Sequence, residues 1–164
     1  MNKKTLFICQ GAIIAALYVA LTLFISAFNL ASGAIQVRIS EALCILPVFT
    51  PAAIPGLFIG CIISNTVTGC MLLDIIFGSI ATLIGAVGSY LLRKTKFLFT
   101  LPPVIANAVI VPIVLKSVYG LGDAYWFLVI TVGIGEIISV CILGSVLKAA
   151  LNKNADMIFK NTDN

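Results

Sequence analysis

Residues 33–51, GAIQVRISEALCILPVFTP, place an arginine and a glutamate at the start of a short apolar run that ends at a proline. Arg38 and Glu41 are isolated charges, because residues 5–73 contain no other Asp, Glu, Lys or Arg. The apolar run over residues 39–49 is too short to cross a bilayer, since a spanning helix needs about 20 residues. This stretch therefore predicts a short helix that stops at the proline and turns within or near a membrane.

The composition of the chain indicates which solvent surrounds these charges. The sequence is 61% hydrophobic and 10% charged, with a mean hydropathy of +1.18, whereas an ordinary soluble domain has about 25% charged residues. We therefore predict a multi-pass membrane protein with one membrane domain over residues 1–164. Its helical core is expected over residues 5–151, followed by a flexible C-terminal tail at 152–164.

The same composition excludes several functions. About six spanning helices use nearly all of the length and leave no room for a soluble catalytic domain. The chain contains no histidine, so it lacks the commonest general base and metal ligand. Its five cysteines lie scattered in apolar stretches, where cysteine behaves as a small hydrophobe. We expect neither an enzyme nor a metal protein.

Prolines, glycines and polar clusters divide the chain into six helices. We predict them at residues 5–28, 38–49, 52–67, 71–93, 97–118 and 123–151. With both termini in the cytoplasm, eight Lys and Arg residues lie inside and two outside, as the positive-inside rule requires. The predicted fold class is an all-α membrane bundle of six transmembrane helices with both termini cytoplasmic. The basic residues flank apolar spans, so the net charge of +4 indicates orientation and not nucleic-acid binding.

Polar residues inside the apolar spans are the candidates for a binding site. A charge at the centre of a spanning helix costs about 2.5–3.5 kcal/mol on insertion scales, so such residues need a polar surrounding or a partner. The topology places four candidates at the outer ends of three segments and two deeper in the membrane. The outer candidates are Arg38, Glu41, Asn65 and Asp74, and the deeper ones are Asn107 and Glu136. A cavity that opens outward would accommodate all six.

Structural roles for these residues stay open at this point. Arg38 and Glu41 could neutralise each other as an ion pair one helical turn apart. The two asparagines could form hydrogen bonds between helices, and Asp74 could be a charge favoured at a helix N-terminus. Glu136 is harder to explain structurally, because it follows the glycine pair of Gly133-Ile-Gly135, which allows a ligand or a backbone to come close.

The first helix carries a stripe of small residues. Ala12, Ala16 and Ala20 recur every four residues and form a smooth surface along which another helix can pack. The stripe could pack inside the protein's own bundle or against a separate membrane subunit. The sequence also lacks a nucleotide-binding motif, because Gly88–Thr95 has an arginine where a P-loop needs its second glycine. The protein would therefore act passively, couple to an ion, or use the ATP hydrolysis of a partner.

Three consecutive stretches carry a resemblance to a known family. GAIQVRISEALCILPVFTPAAIPGLFIGCIISN at residues 33–65, DIIFGS at 74–79 and ATL at 81–83 resemble the QueT family of queuosine precursor transporters. That family belongs to the substrate-binding S components of energy-coupling factor (ECF) transporters, and the resemblance covers roughly residues 5–150. It implies a protein of a bacterial cell membrane that captures a 7-deazaguanine, such as the 7-cyano or 7-aminomethyl compound or queuine. Salvage of this kind supplies a tRNA modification.

The resemblance also implies partners and site residues. Uptake would use a transmembrane T subunit and two cytoplasmic ATPases, so ATP would be consumed by the partners and this chain would need no cofactor. Gln36, Arg38 and Glu41 belong to the most specific part of the resemblance, and residues 29–37 would close over the ligand. The alanine stripe would contact the T subunit.

The chemistry of a deazaguanine agrees with the candidate residues. Its N1–H and exocyclic amine are adjacent donors that one carboxylate can accept, and its O6 accepts from Arg, Gln or Asn. A 7-aminomethyl group adds a cation that a second carboxylate would favour. Glu41, Asp74 and Glu136 could each fill these roles and are not assigned individually. The alternative function is a proton-coupled secondary transporter of a small polar or purine-like molecule with Glu136 as its relay, and a membrane protein without transport function is a third.

Overall fold

The fold was analysed in a computed structural model, which describes residues 2–27, 38–118, 120 and 124–159. These residues form helices and turns without a β-strand. The elements are α1 (Lys3–Ala27), a 3₁₀ helix (Ile39–Val48), α2 (Ala53–Val67), α3 (Leu72–Leu91), a 3₁₀ turn (Leu98–Thr100), α4 (Leu101–Val118), α5 (Tyr125–Glu136), a π-helical segment (Ile137–Leu143), α6 (Gly144–Asn152) and α7 (Ala155–Phe159). Gln36 and the loop expected to close over a ligand lie outside the described residues.

The all-helical fold confirms the predicted class. Four stretches are long and apolar enough to cross a membrane, and these are Lys3–Ala27, Leu72–Leu91, Leu98–Ser117 and Tyr125–Asn152. Two shorter apolar helices, Ile39–Val48 and Ala53–Val67, complete the six predicted segments. The fold is therefore four candidate spans with two shorter helices, where we predicted six transmembrane helices. The cytoplasmic location of the termini stays a prediction.

The bundle has two ends, which we name by their residues. The basic end contains the start of α1, the turn between the 3₁₀ helix and α2, and the cluster at residues 93–96. The loop end contains the end of α1, the start of the 3₁₀ helix and the turn between α2 and α3. Neighbouring helices pack in the order α1, α2, α3, α4 and α5. The 3₁₀ helix packs against α1, α2, α3, the π-helical segment and α6, so it occupies the centre of the bundle.

The 3₁₀ helix is buried along nearly all of its length, from Ser40 to Pro47. Runs of this kind are seldom longer than 3–4 residues, whereas this helix has 10 residues. At a rise of about 2.0 Å per residue it extends roughly 20 Å, so it reaches through much of the hydrocarbon layer although it is too short for a spanning α-helix. It ends before Thr50-Pro51, where the sequence predicted a tight turn.

Glycines allow the outer helices to approach closely and so bring polar side chains together. A Cβ atom on Gly56 of α2 would lie 2.6 Å from the carbonyl oxygen of Gly11 in α1, and one on Gly60 would lie 2.9 Å from the Cβ atom of Tyr18. These two glycines have the four-residue spacing that lets helix backbones meet in membranes. The close packing of α1 on α2 places Tyr18 at the level of the bundle centre.

The C-terminal helix α7 covers the basic end of the 3₁₀ helix. The ring of Phe159 stacks on that of Phe49 with centroids 5.3 Å apart, and Nε2 of Gln10 donates a hydrogen bond of 3.3 Å to the carbonyl oxygen of Ile158. Thr50 in turn donates to Oε1 of Gln10 at 3.0 Å. We predicted a flexible tail over residues 152–164, so the helix Ala155–Phe159 corrects that prediction for these residues.

Candidate functional site

The carboxylate of Glu41 lies at the centre of the bundle, where the side chain has no exposure to solvent. Its Oε1 atom accepts a hydrogen bond from the Tyr18 hydroxyl of α1. Its Oε2 atom accepts from the thiol of Cys44 at 2.9 Å. The Thr82 hydroxyl of α3 lies 3.5 Å from Oε1, but its single hydrogen has a shorter acceptor in the Gly78 carbonyl at 3.1 Å. Both oxygens of Glu41 are therefore engaged by the protein.

Local structure explains why these groups meet. Side chains at i and i+3 of a 3₁₀ helix eclipse each other, which puts Cys44 directly beside Glu41. Tyr18 lies on the inward face of α1 and is 1% exposed. A buried carboxylate is costly unless its oxygens accept hydrogen bonds, and here two elements supply the donors. Cys44 therefore acts as a hydrogen-bond donor. We predicted that all five cysteines behave as small hydrophobes, and that prediction did not include this role.

Arg38 contributes the positive charge of this region. Its half-buried side chain lies close enough to Glu41 and Asp74 to interact electrostatically with both carboxylates. Glu136 in turn interacts with the charges of Arg38 and Glu41. Arg38, which directly precedes the 3₁₀ helix, is therefore within electrostatic range of the carboxylates of Glu41, Asp74 and Glu136.

Glu136 and Asn107 form a second buried group at the contact between α4 and α5. The two side chains are 4% and 2% exposed, and the amide of Asn107 lies beside the carboxylate. Within the described part of the chain, however, neither Oε2 of Glu136 nor Nδ2 of Asn107 has a hydrogen-bond partner. The buried hydroxyls of Ser40, Ser79 and Ser139 also lack partners there. An unpaired buried polar atom costs about 1–3 kcal/mol, so such a group calls for an explanation such as a ligand.

Asn65 and Asp74 lie nearer to the loop end, and both side chains lie beside Gly78. A Cβ atom on Gly78 would lie 3.4 Å from Nδ2 of Asn65 and 3.6 Å from Oδ1 of Asp74. The Asn65 amide also donates to the sulfur of Cys61 at 3.5 Å. Both polar side chains therefore lie within van der Waals contact of position 78, and they are 2% and 5% exposed.

The depth of Glu41 differs from the expectation. We expected it to share one outer level with Asn65 and Asp74, but its neighbour Thr82 lies eight residues along α3 from Asp74. At a rise of about 1.5 Å per residue this separation is roughly 12 Å. The expectation is wrong for Glu41, because the 3₁₀ helix carries this residue into the bundle instead of starting at its surface.

The alanine stripe lies on the outer face of α1. Ala12, Ala16 and Ala20 are all exposed, whereas their neighbour Ala15 is buried against Gly60 of α2. The alanine stripe therefore does not pack against the described part of the protein's own bundle, which was one of its two predicted roles. The face stays available to lipid or to another membrane helix.

These features define a helical membrane protein with a charged polar centre enclosed by its bundle. Buried ionisable groups of this kind are typical of membrane proteins that move small molecules or ions. The model of the QueT transporter family matches residues 8–153, so the chain belongs to the QueT transporter family. The resemblance seen in the sequence is thereby confirmed.

A curated relative supports the same family. The chain is 40% identical over 83 residues to a protein of Lactococcus lactis subsp. cremoris (strain MG1363) named Queuosine precursor transporter QueT. The shared stretch covers 51% of this chain and 48% of the relative, so the chain matches about half the length of that protein. No solved structure matches the chain.

Loss of the Tyr18 hydroxyl tests the role of Glu41. We expect Tyr18→Phe to lower the free energy of unfolding by about 1.5–3 kcal/mol, because it removes a donor from a charged acceptor. Tyr125→Phe is the matched control, since that exposed hydroxyl makes a hydrogen bond of 3.3 Å to the Val109 carbonyl. Thermal unfolding of the purified protein in detergent measures both changes. Equal and small shifts in the two variants would show that Tyr18 does not stabilise the centre.

Proposed function

We propose that the protein is the membrane subunit that captures a queuosine precursor outside a bacterial cell for uptake. The candidate ligand is a 7-deazaguanine. The observation that supports this most directly is that Oε2 of Glu136 and Nδ2 of Asn107, both buried, have no hydrogen-bond partner among the described residues of this QueT family protein. The name of the Lactococcus relative is consistent with this class of substrate.

The side chains of Glu136 and Asn107 would complement the edge of a guanine-like base. The carboxylate of Glu136 can accept from N1–H and from the exocyclic amine, which are adjacent donors. The neighbouring amide of Asn107 can donate to O6 through Nδ2. The ligand would in this way satisfy polar atoms that have no partner among the described residues.

Glu41 has a different role on this proposal. Both of its oxygens already accept hydrogen bonds from Tyr18 and Cys44. It would have to lose these bonds to read a base directly. We therefore assign Glu41 to positioning: it holds the 3₁₀ helix against α1 and contributes negative charge beside the base-reading pair.

Substitution of the two buried glutamates should separate binding from stability. We expect Glu136→Gln to lower affinity for a 7-deazaguanine about tenfold to a hundredfold, because an amide has one acceptor and turns a donor toward the ligand's donors. Its thermal midpoint should stay close to that of the unchanged protein. Glu41→Gln should instead lower the thermal midpoint, because one oxygen becomes a donor that faces Tyr18 or Cys44. Calorimetric titration and thermal unfolding measure the two effects, and unchanged affinity of Glu136→Gln would remove it from the site.

Energy coupling is the second part of the proposal. The sequence has no nucleotide-binding motif, so we propose that a transmembrane T subunit and two cytoplasmic ATPases of an ECF module drive uptake. The exposed face of Ala12, Ala16 and Ala20 is the proposed contact with the T subunit. Small residues at such spacing let a partner helix approach closely in a membrane, where packing is a main source of association.

A bulky residue on the stripe should uncouple binding from uptake. We expect Ala16→Leu to keep ligand affinity and thermal stability but to reduce ATP-driven uptake by the assembled complex at least about tenfold, because the longer side chain blocks helix contact. Ala150→Leu is the control, since it makes the same change at an exposed position of α6. Normal uptake by Ala16→Leu would show that the stripe is not the docking face. Uptake driven by a proton gradient without ATPases would favour the secondary transporter instead.

A further inference from the structure

We propose that residues 92–97, which we name the basic turn, bind the headgroup of an anionic phospholipid at the basic end of the bundle. The inference does not depend on the proposed substrate. It rests on a concentration of positive charge between two candidate spans, on hydrogen bonds that order the turn, and on exposed apolar side chains beside it.

The basic turn joins two stretches that are long and apolar enough to cross a membrane. One ends at Leu91 and the next begins at Leu98, so the residues between them belong at the level of the lipid headgroups. Residues 75–122 contain no Asp or Glu. The cations of the turn are Arg93, Lys94 and Lys96, and both lysines are exposed. The turn therefore carries positive charge without an acidic residue nearby in the sequence.

The guanidinium of Arg93 is held in place with most of its donors free of that contact. Its Cζ atom lies 4.0 Å from the centroid of the Tyr90 ring, and Nη1 donates a hydrogen bond of 3.3 Å to the Tyr90 carbonyl oxygen. This bond uses one of the five N–H donors of a guanidinium. The planar arrangement of these donors suits the oxygens of a phosphate.

Hydrogen bonds order the turn and the residues that follow it. The hydroxyl of Thr95 donates to the Leu92 carbonyl oxygen at 2.7 Å, and the hydroxyl of Ser89 in α3 donates to the Phe99 carbonyl oxygen at 2.7 Å. The ring of Phe99 also contacts Lys148 of α6, whose Nζ atom lies 3.8 Å from its centroid. An ordered site loses less conformational freedom when it binds. The turn therefore presents its cations in a fixed arrangement, and α6 places a further cation close to it.

Exposed apolar side chains favour a lipid over a soluble anion or an acidic protein. Phe97, Leu98 and Leu101 directly follow the cations and are 70%, 52% and 48% exposed. A phospholipid carries a phosphate and acyl chains in one molecule, so it matches both the charge and the apolar surface. Each Lys or Arg near an anionic membrane surface favours binding by about fivefold. Charge and apolar surface together therefore point to an anionic phospholipid.

Native mass spectrometry of the full chain in detergent tests the proposal, with phosphatidylglycerol and phosphatidylcholine as probes. We expect the unchanged protein to bind phosphatidylglycerol at least about tenfold more tightly than phosphatidylcholine. Replacement of both exposed lysines, Lys94→Gln with Lys96→Gln, should lower the affinity for phosphatidylglycerol about tenfold or more and leave that for phosphatidylcholine unchanged. The matched control is Lys3→Gln with Lys4→Gln, which removes two exposed lysines at the same end of the bundle but outside the turn. This control should lose little affinity.

Three outcomes would overturn the proposal. Equal affinity of the unchanged protein for the two lipids is the first, and it needs no variant to fold. Equal losses in the two double variants would show that the overall charge of the basic end, and not the basic turn, attracts the lipid. Competition with glycerol phosphate and polyglutamate gives the third: displacement of phosphatidylglycerol by either competitor at equal concentration would assign the turn to a soluble anion or to an acidic polypeptide.

Discussion

The hydrogen bonds to the Glu41 carboxylate link the parts of the bundle that are distant in sequence. Tyr18, 23 residues before Glu41 in the sequence, donates to its Oε1 atom. The Thr82 hydroxyl, 41 residues after Glu41, lies 3.5 Å from the same oxygen without donating to it, so this buried side chain meets both α1 and α3. In a bilayer no water can replace a missing donor, and the carboxylate therefore requires the surrounding helices to stay in register. The close approach of α1 and α2 at Gly56 and Gly60 makes this geometry possible.

The same interaction determines which polar groups remain available to a ligand. Both oxygens of Glu41 already accept hydrogen bonds. The proposed function therefore places the ligand at Oε2 of Glu136 and Nδ2 of Asn107, which have no partner in the part of the chain that the structure describes. Glu136 also directly precedes the π-helical segment Ile137–Leu143. Short π-helical stretches inside α-helices occur frequently at functional sites. The proposed capture of a deazaguanine thus depends on one glutamate that holds the bundle and another that reads the base.

Much of the architecture could be predicted from the sequence, because Pro, Gly and isolated charges mark the ends of apolar runs. The turn at Thr50-Pro51 and the bounds of α2 and α3 are examples, since the observed helices Ala53–Val67 and Leu72–Leu91 lie within the predicted segments. The charged and amide residues could also be identified from the sequence, because placing such side chains inside a bilayer costs free energy. Their burial in one region agrees with that reasoning, whereas their roles as ligand-binding residues stay predictions.

Other features depend on tertiary contacts that no local pattern reveals. Tyr18 lies in an apolar run and looks like an ordinary core aromatic residue, because its acceptor is distant in the sequence. The 3₁₀ conformation of Ile39–Val48 and the resulting depth of Glu41 follow from burial on all sides of that helix. The four-residue spacing of Gly56 and Gly60 is a signal in the sequence that indicates close helix packing.

A structure of the protein with bound 7-aminomethyl-7-deazaguanine would test the central claim most directly, namely that Glu41 holds the bundle while Glu136 and Asn107 read the base. The account predicts ligand donors within hydrogen-bond distance of Oε2 of Glu136, Nδ2 of Asn107 close to the ligand's O6, and Tyr18 still bonded to Glu41. A ligand bound to Glu41 in place of Tyr18, with Glu136 and Asn107 out of reach, would contradict it.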